Sequence, residues 1–188
     1  FPWLSMRNIE LGMCPVRAIR VAYTGELGWE LHYPIEFGRY LWDQLVAAGE
    51  KHGLKLVGAR AQNWLRQEKS YRAFGTELGR DATPLEAGLD RFVDLDKDFR
   101  GKQAMLDKGI RSKCVTLLID GPADADPWGR EGLFLPDGTR VGRLTSGGWS
   151  PAFGKSIGMG YVRPDLARPG TRLKVRMLRE LWDAVVTE

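Results

Sequence analysis

The stretch "YTGELGWE", residues 23–30, puts a tyrosine, a tryptophan and two carboxylates around two glycines. Glu30 is the residue with the most chemistry to offer. An ionised carboxylate carries two acceptor oxygens in one plane. That geometry matches a flat N–C–N donor edge, as it matches a guanidinium; aminopyrimidine and pterin rings present such an edge. Tyr23 and Trp29 would add flat apolar surface with polar tips. The plainer alternative is a Glu on the solvent face of a hairpin, with the glycines there only for the turn. Spacing alone favours the plainer reading. A second candidate stretch, "WLRQEKSYRAFG", carries Arg66, Glu68, Tyr71 and Arg72. Glu68 and Arg72 stand four apart, the spacing of a helix-face ion pair, and Tyr71 either joins the core or faces a pocket.

Other chemistries find little support. The chain has no P-loop, no GxGxxG and no GxSxG. Two cysteines, Cys14 and Cys114, and two histidines, His32 and His52, fit no zinc spacing. The acids around "GPADAD" are too few for a calcium loop and read as a solvated turn. The net charge of +4 mildly favours anionic ligands, but the basic residues are scattered along the chain. A nucleic-acid binder more often clusters them, so neither nucleic acid nor membrane is expected as a partner. No apolar run approaches a membrane span. The low cysteine usage points to a reducing compartment: the cytoplasm, or the mitochondrial matrix in a eukaryote.

The elements that must position these residues can be read from periodicity. "PVRAIRVAY" and "WELHY" alternate as strands joined by the five-residue link "TGELG". Trp29, Leu31 and Tyr33 fall on one face of the second strand, Glu30 and His32 on the other. "EFGRYLWDQLVAAGEKHG" has helical spacing with Gly53 as its stop. A second helix is expected through "GARAQNWLRQEKSYRAFG", ending at Gly75. "LDRFVDLD" reads as a strand, and "FRGKQAMLDKG" turns helical from about Lys102. From Lys113 onward six short strands follow, with "PDGT" as a hairpin turn. The fold class expected is α+β: a mixed α/β region over residues 1–110, then a small antiparallel barrel or sandwich over 111–188.

Five stretches occur in a telling order: "YTGELGWE", "LRQEKSYRAFGTEL", "TPLEAGL", "FRGKQAM" and "LTSGGWSPAFGKSIGMGYV". Together they resemble the tetrahydrofolate-binding aminomethyltransferase family, which includes the T protein of the glycine cleavage system. The wording of "EKSYRAFGTEL" and "FRGKQAM" is most similar to the C-terminal folate domain of dimethylglycine and sarcosine dehydrogenases and oxidases. The resemblance covers essentially all 188 residues.

It implies a tetrahydrofolate cofactor, with Tyr23 and Glu30 against the folate, the Glu30 carboxylate on the pterin edge, and Tyr71 as a further contact. It also implies a reaction: an N-methyl amine is oxidised by flavin, and tetrahydrofolate captures the one-carbon unit as methylene-tetrahydrofolate. FAD would belong only to an upstream domain of the full-length enzyme. The family's catalytic aspartate is expected upstream of Phe1, so no catalytic residue and no metal ligand is assigned here, and the chain alone is expected to be inactive. An arginine that contacts the cofactor in the T protein is replaced by Gln62, which fits the flavoprotein branch. Two other readings share the fold: part of a stand-alone T protein-like aminomethyltransferase, and a non-catalytic scaffold module. One tension remains. In a regular hairpin Tyr23 and Glu30 point to opposite faces, so two contacts to one ligand require a bulge or a contact from a strand end. The glycine-rich barrel stretch and its Pro151 are expected to serve tight turns and close packing.

Overall fold

A computed structural model describes residues 1–122 and 124–187. The chain divides into two units, Phe1–Gln62 and Asn63–Glu188, and each has its own apolar cluster. In the first unit, strands β1 (Met6–Leu11), β2 (Cys14–Ile19) and β3 (Glu30–His32) form an antiparallel sheet in that order. Alternate residues of β2, namely Cys14, Val16 and Ala18, are buried. They meet Leu41 of helix α1 (Gly38–Glu50). Alternation of period two thus gives the sheet one dry face, and the helix covers it.

The link between β2 and β3 is longer than the five residues expected from the sequence. The Val21 amide donates to the Ile19 carbonyl at 2.9 Å, a tight three-residue turn that takes the chain out of the ladder. Residues 20–29 therefore form the connection, and Tyr23 lies in a turn instead of on a strand. At the far end of α1, Gly53 adopts φ +71°. Its amide donates to the Glu50 carbonyl at 3.1 Å, and that of Leu54 to the Gly49 carbonyl at 3.0 Å. This paired closure needs a left-handed residue. Gly53→Ala is expected to cost about 1 kcal/mol, read as a lowered thermal midpoint.

Helix α2 (Ala59–Glu68) is shorter than its sequence suggests. It closes by the same device, with Ser70 at φ +54° in the left-handed position. Ser70 and Tyr71 amides donate to the Gln67 and Arg66 carbonyls, each at 2.9 Å. Tyr71 and Arg72 consequently lie beyond the helix, and Glu68 and Arg72 are not an i,i+4 helical pair. The segment "LDRFVDLD" is no strand: Asp90–Phe92 is a single 3-10 turn. Helix α3 (Lys102–Lys108) begins where expected.

The six C-terminal strands all form: β4 (Lys113–Ile119), β5 (Gly132–Phe134), β6 (Arg140–Ser150), β7 (Lys155–Val162), β8 (Arg172–Met177) and β9 (Glu180–Thr187). Glu188, at the end of the last strand read from the sequence, and Ala123, in the turn around "GPADAD", lie outside the described residues. The strands close into an antiparallel barrel in the order β4-β7-β6-β5-β8-β9, which settles barrel over sandwich. Closure leaves no free sheet edge. Leu117, Ile119, Leu133, Leu144, Leu173 and Val175 fill its interior. The "PDGT" turn joins β5 to β6, with Gly138 at φ +87° and the Thr139 amide bound to the Asp137 carboxylate at 2.8 Å.

Candidate functional site

Glu30 opens β3, opposite Ile19 of β2. Its side chain is 55% exposed, and one carboxylate oxygen lies 3.4 Å from His32 Nε2. That contact engages one oxygen, and the side chain stays open to solvent. The preceding residue, Trp29, sits under the Arg20 guanidinium, 5.4 Å from its ring centre, and its ring lies 6.3 Å from that of Phe1. Arg20 is held in turn by the Phe1 carbonyl at 2.5 Å. Glu30 thus follows directly on an aromatic shelf, as its sequence setting suggests. Tyr23 is 38% exposed. Because it is in a turn, strand alternation does not dictate its direction, and the opposite-face conflict with Glu30 does not arise. An open cleft of about 820 Å3 in this unit is lined by His32 and Tyr33, but by neither Tyr23 nor Glu30.

The second unit holds a polar centre to which sequence reading assigned no role. Arg66 and Glu77 are 1% and 0% exposed and pair at 2.7 Å. The Glu77 carboxylate also accepts from the hydroxyls of Thr145 and Ser146, each at 2.6 Å, from Thr76 at 2.7 Å and from the Ala73 amide at 3.0 Å. Arg66 donates to Asn63 Oδ1, to the Tyr71 carbonyl at 2.8 Å and to Ser146 Oγ at 2.6 Å. Burial pushes the Glu77 carboxyl up, but those hydrogen bonds and Arg66 outweigh it and hold it below the ordinary 4.5. Tyr71 is thereby fixed by its backbone, and its side chain is 36% exposed.

The C-terminal half of the same helix, from Trp64 to Glu68, is joined to β6. Gln67 Nε2 donates to the Gly147 carbonyl at 3.3 Å, Trp64 packs against Gly148, and Ser150 Oγ donates to the Glu68 carboxylate. Glu68 therefore serves strand β6 and the Ala152 amide, at 3.1 Å. The glycines of β6 and β7 do serve close packing: a Cβ at Gly160 would lie 2.4 Å from the Arg143 carbonyl oxygen.

A cleft of about 780 Å3 opens beside this centre, between the turn around Glu77, the segment from Trp128 to Arg130, and Arg143 and Thr145 on β6. Tyr161 lines it and donates its hydroxyl to the Glu77 carbonyl at 2.7 Å. Both cysteines are buried and unpaired with each other. Burial pushes the Cys114 thiol up to about 12, which keeps it protonated and a poor nucleophile. Among the described residues no group of three His, Cys, Asp or Glu side chains could hold a metal ion, and no helix is long and apolar enough to cross a membrane.

Comparison with known proteins identifies the family of the chain. The model of the GCVT N-terminal domain matches residues 1–97, and that of the glycine cleavage T-protein C-terminal barrel domain matches residues 113–188. The mitochondrial dimethylglycine dehydrogenase of Homo sapiens is 40% identical over all of this chain, which corresponds to 22% of that protein. An aminomethyltransferase of Thermosynechococcus vestitus is 39% identical over 89% of this chain and 45% of its own length. The chain thus spans between about a fifth and a half of these curated relatives. The crystal structure of glycine cleavage system aminomethyltransferase T from Bartonella henselae superposes with a TM-score of 0.83 at 29% identity, over 92% of this chain and 48% of that one.

Proposed function

The chain belongs to the glycine cleavage T-protein family, and on that premise we propose that it is the tetrahydrofolate-binding portion of a one-carbon-transferring demethylating enzyme of the dimethylglycine or sarcosine dehydrogenase kind. The full coverage by dimethylglycine dehydrogenase supports this branch. In this reading residues 1–110 belong to the folate-binding domain and 111–188 are its barrel companion. The N-methyl amine substrate, the FAD and the family's catalytic aspartate belong to the remainder of the full-length enzyme. A T protein-like aminomethyltransferase is the second reading, favoured by the nearly equal identity to the Thermosynechococcus vestitus protein over 89% of the chain.

The observation that carries the proposal is the exposed carboxylate of Glu30, held by His32 through one oxygen. Its acceptor pair fits the N–C–N edge of a reduced pterin, and a charge-assisted pair of hydrogen bonds would fix the ring's orientation. Tyr23 would lie against the ring, and Tyr71 is proposed as a further contact. Tetrahydrofolate, when bound, supplies the nucleophilic nitrogen that takes up the one-carbon unit. The residues of this chain bind and orient, which is catalysis by proximity, and His32 restrains the Glu30 side chain before the ligand arrives. On this reading the isolated chain binds folate and does not turn over.

Calorimetric titration with folinic acid tests it. The native chain is expected to bind, and Glu30→Ala to bind about ten- to a hundredfold more weakly, the size of a lost hydrogen bond to a charged group. Absence of binding by the native chain, or equal binding by both, would overturn the role given to Glu30.

A further inference from the structure

The basic residues that look scattered along the sequence are gathered by the barrel. The 780 Å3 cleft carries Arg130 and Arg143. A second cleft, of about 380 Å3, is lined by Arg111, Arg140, Arg143 and Arg163. Ser112, Arg143 and Tyr161 line both, so the two clefts adjoin along these residues, and the pair is termed the trough. Arg143 stands opposite Tyr161 in the β6–β7 ladder. Two of the five guanidiniums are answered: Arg111 by Glu86 at 3.4 Å, and Arg163 by Asp165 at 3.2 Å. Among the described residues Arg130, Arg140 and Arg143 make no ion pair.

The acids nearby do not neutralise them. Glu77 is turned to Arg66, and the Glu131 carboxylate is occupied by the Trp128 and Gly129 amides at 2.9 and 2.8 Å. Asp81 is the remaining acid in the walls. The Arg130 backbone is also committed. It sits at φ +78°, a left-handed conformation uncommon outside glycine. Its amide donates to the Leu144 carbonyl at 2.8 Å. That bond holds the left-handed backbone in place and so fixes where the side chain departs.

We propose that this trough binds an acidic peptide segment, an extended chain whose carboxylates pair with Arg130, Arg140 and Arg143. A guanidinium fork accepts a carboxylate in two parallel hydrogen bonds. An extended peptide presents side chains on one face about every 7 Å, which suits several guanidiniums along a concave wall. Single-stranded nucleic acid would instead want a row of open aromatic faces for its bases. The aromatic residues lining the trough are two, Tyr161 and Trp128, which make no such row, and the Tyr161 hydroxyl is tied to Glu77. The trough's arginines are not among the residues proposed to hold folate, and neither reading depends on the other.

The test is fluorescence anisotropy with a labelled hexaglutamate peptide at low salt. The native chain is expected to bind, and the triple variant Arg130→Gln, Arg140→Gln, Arg143→Gln to bind about tenfold more weakly, three exposed charge pairs each contributing modestly. A second triple, Arg168→Gln, Arg172→Gln, Arg179→Gln, removes the same charge from exposed positions outside the trough and should keep native affinity. Circular dichroism checks that both fold. No binding by the native chain, or equal loss in the two triples, would overturn the site. Tighter binding of a single-stranded DNA oligomer than of the peptide would overturn its ligand class.

Discussion

Glu77→Ala is expected to destabilise the barrel unit by about 3–5 kcal/mol, the usual cost of breaking a buried ion pair from one side. The reason is what the change leaves behind. Arg66 is 1% exposed, so its charge stays buried with no counter-charge at 2.7 Å. The Ser146 hydroxyl loses its acceptor at the same time, while those of Thr145 and Thr76 fall back on the Met159 and Ala73 carbonyls at 3.1 and 3.2 Å. Each buried donor left without a partner adds its own penalty. Glu77→Gln keeps the shape and an acceptor oxygen and should cost less, while still losing the charge. Urea denaturation followed by tryptophan fluorescence reads both, and an alanine variant with a native midpoint would refute the argument.

The same pair sets an acid limb. The Glu77 carboxyl is held below its ordinary 4.5 in the folded chain. A lowered carboxyl contributes stability that is fully present above its unfolded value and is lost as the pH falls through the folded one. Native stability should therefore drop on acidification below about pH 4.5, and Glu77→Gln should flatten that drop while starting from a lower plateau. An acid limb of the same steepness in the two proteins would assign it to other carboxylates.

How much of this was legible depends on how local the cause is. The six barrel strands announce themselves because alternation and turn chemistry are local, as Leu173, Val175 and Met177 on β8 or "PDGT" before β6 illustrate. Helix α2 is shorter than its sequence predicts because its stop is Ser70 in a left-handed conformation, whereas the first glycine after it is Gly75. β2 ends before its alternation does because the turn at Arg20 is made by one backbone hydrogen bond, with no glycine or proline to mark it. The segment around Asp90 has the β-rich composition of a strand but curls into a 3-10 turn.

The candidate site divides in the same way. Glu30 and Tyr23 could be singled out by residue type and by family resemblance, because the motif is contiguous. The Arg66–Glu77 centre could not. Its partners lie 11 residues apart across irregular chain, and the hydroxyls of Thr145 and Ser146 come from β6, 68 and 69 residues beyond Glu77. The arginine trough was hidden too: Arg111 and Arg163 are brought to one wall by the pairing of β4 with β7, which sets Lys113 opposite Val162. Scattered charge in a sequence is thus no guide to charge on a face once strands fold back on each other.

Gly148→Val should cost at least about 3 kcal/mol, the upper end for overpacking a filled site, because the new atoms have nowhere to go. A Cβ there would lie 2.1 Å from Trp64 Cδ1 and 2.2 Å from Nε1. The indole cannot simply lift away, since its helix is tied to the same strand on either side of the clash. Gln67 reaches the Gly147 carbonyl at 3.3 Å, Arg66 reaches Ser146 at 2.6 Å, and Ser150 reaches Glu68. Either the indole rotates into water or those bonds stretch, and both routes cost more than the added methyl groups return. A double-mutant cycle separates this from a generic strand effect. Trp64→Ala alone leaves a void and should also destabilise the chain. In the Trp64→Ala background, however, the valine has room, so its cost should fall to about 1 kcal/mol or less. Additive costs in the thermal midpoints would mean that the valine acts on β6 itself and that the contact between helix and strand is not what holds the "LRQEK" segment in place.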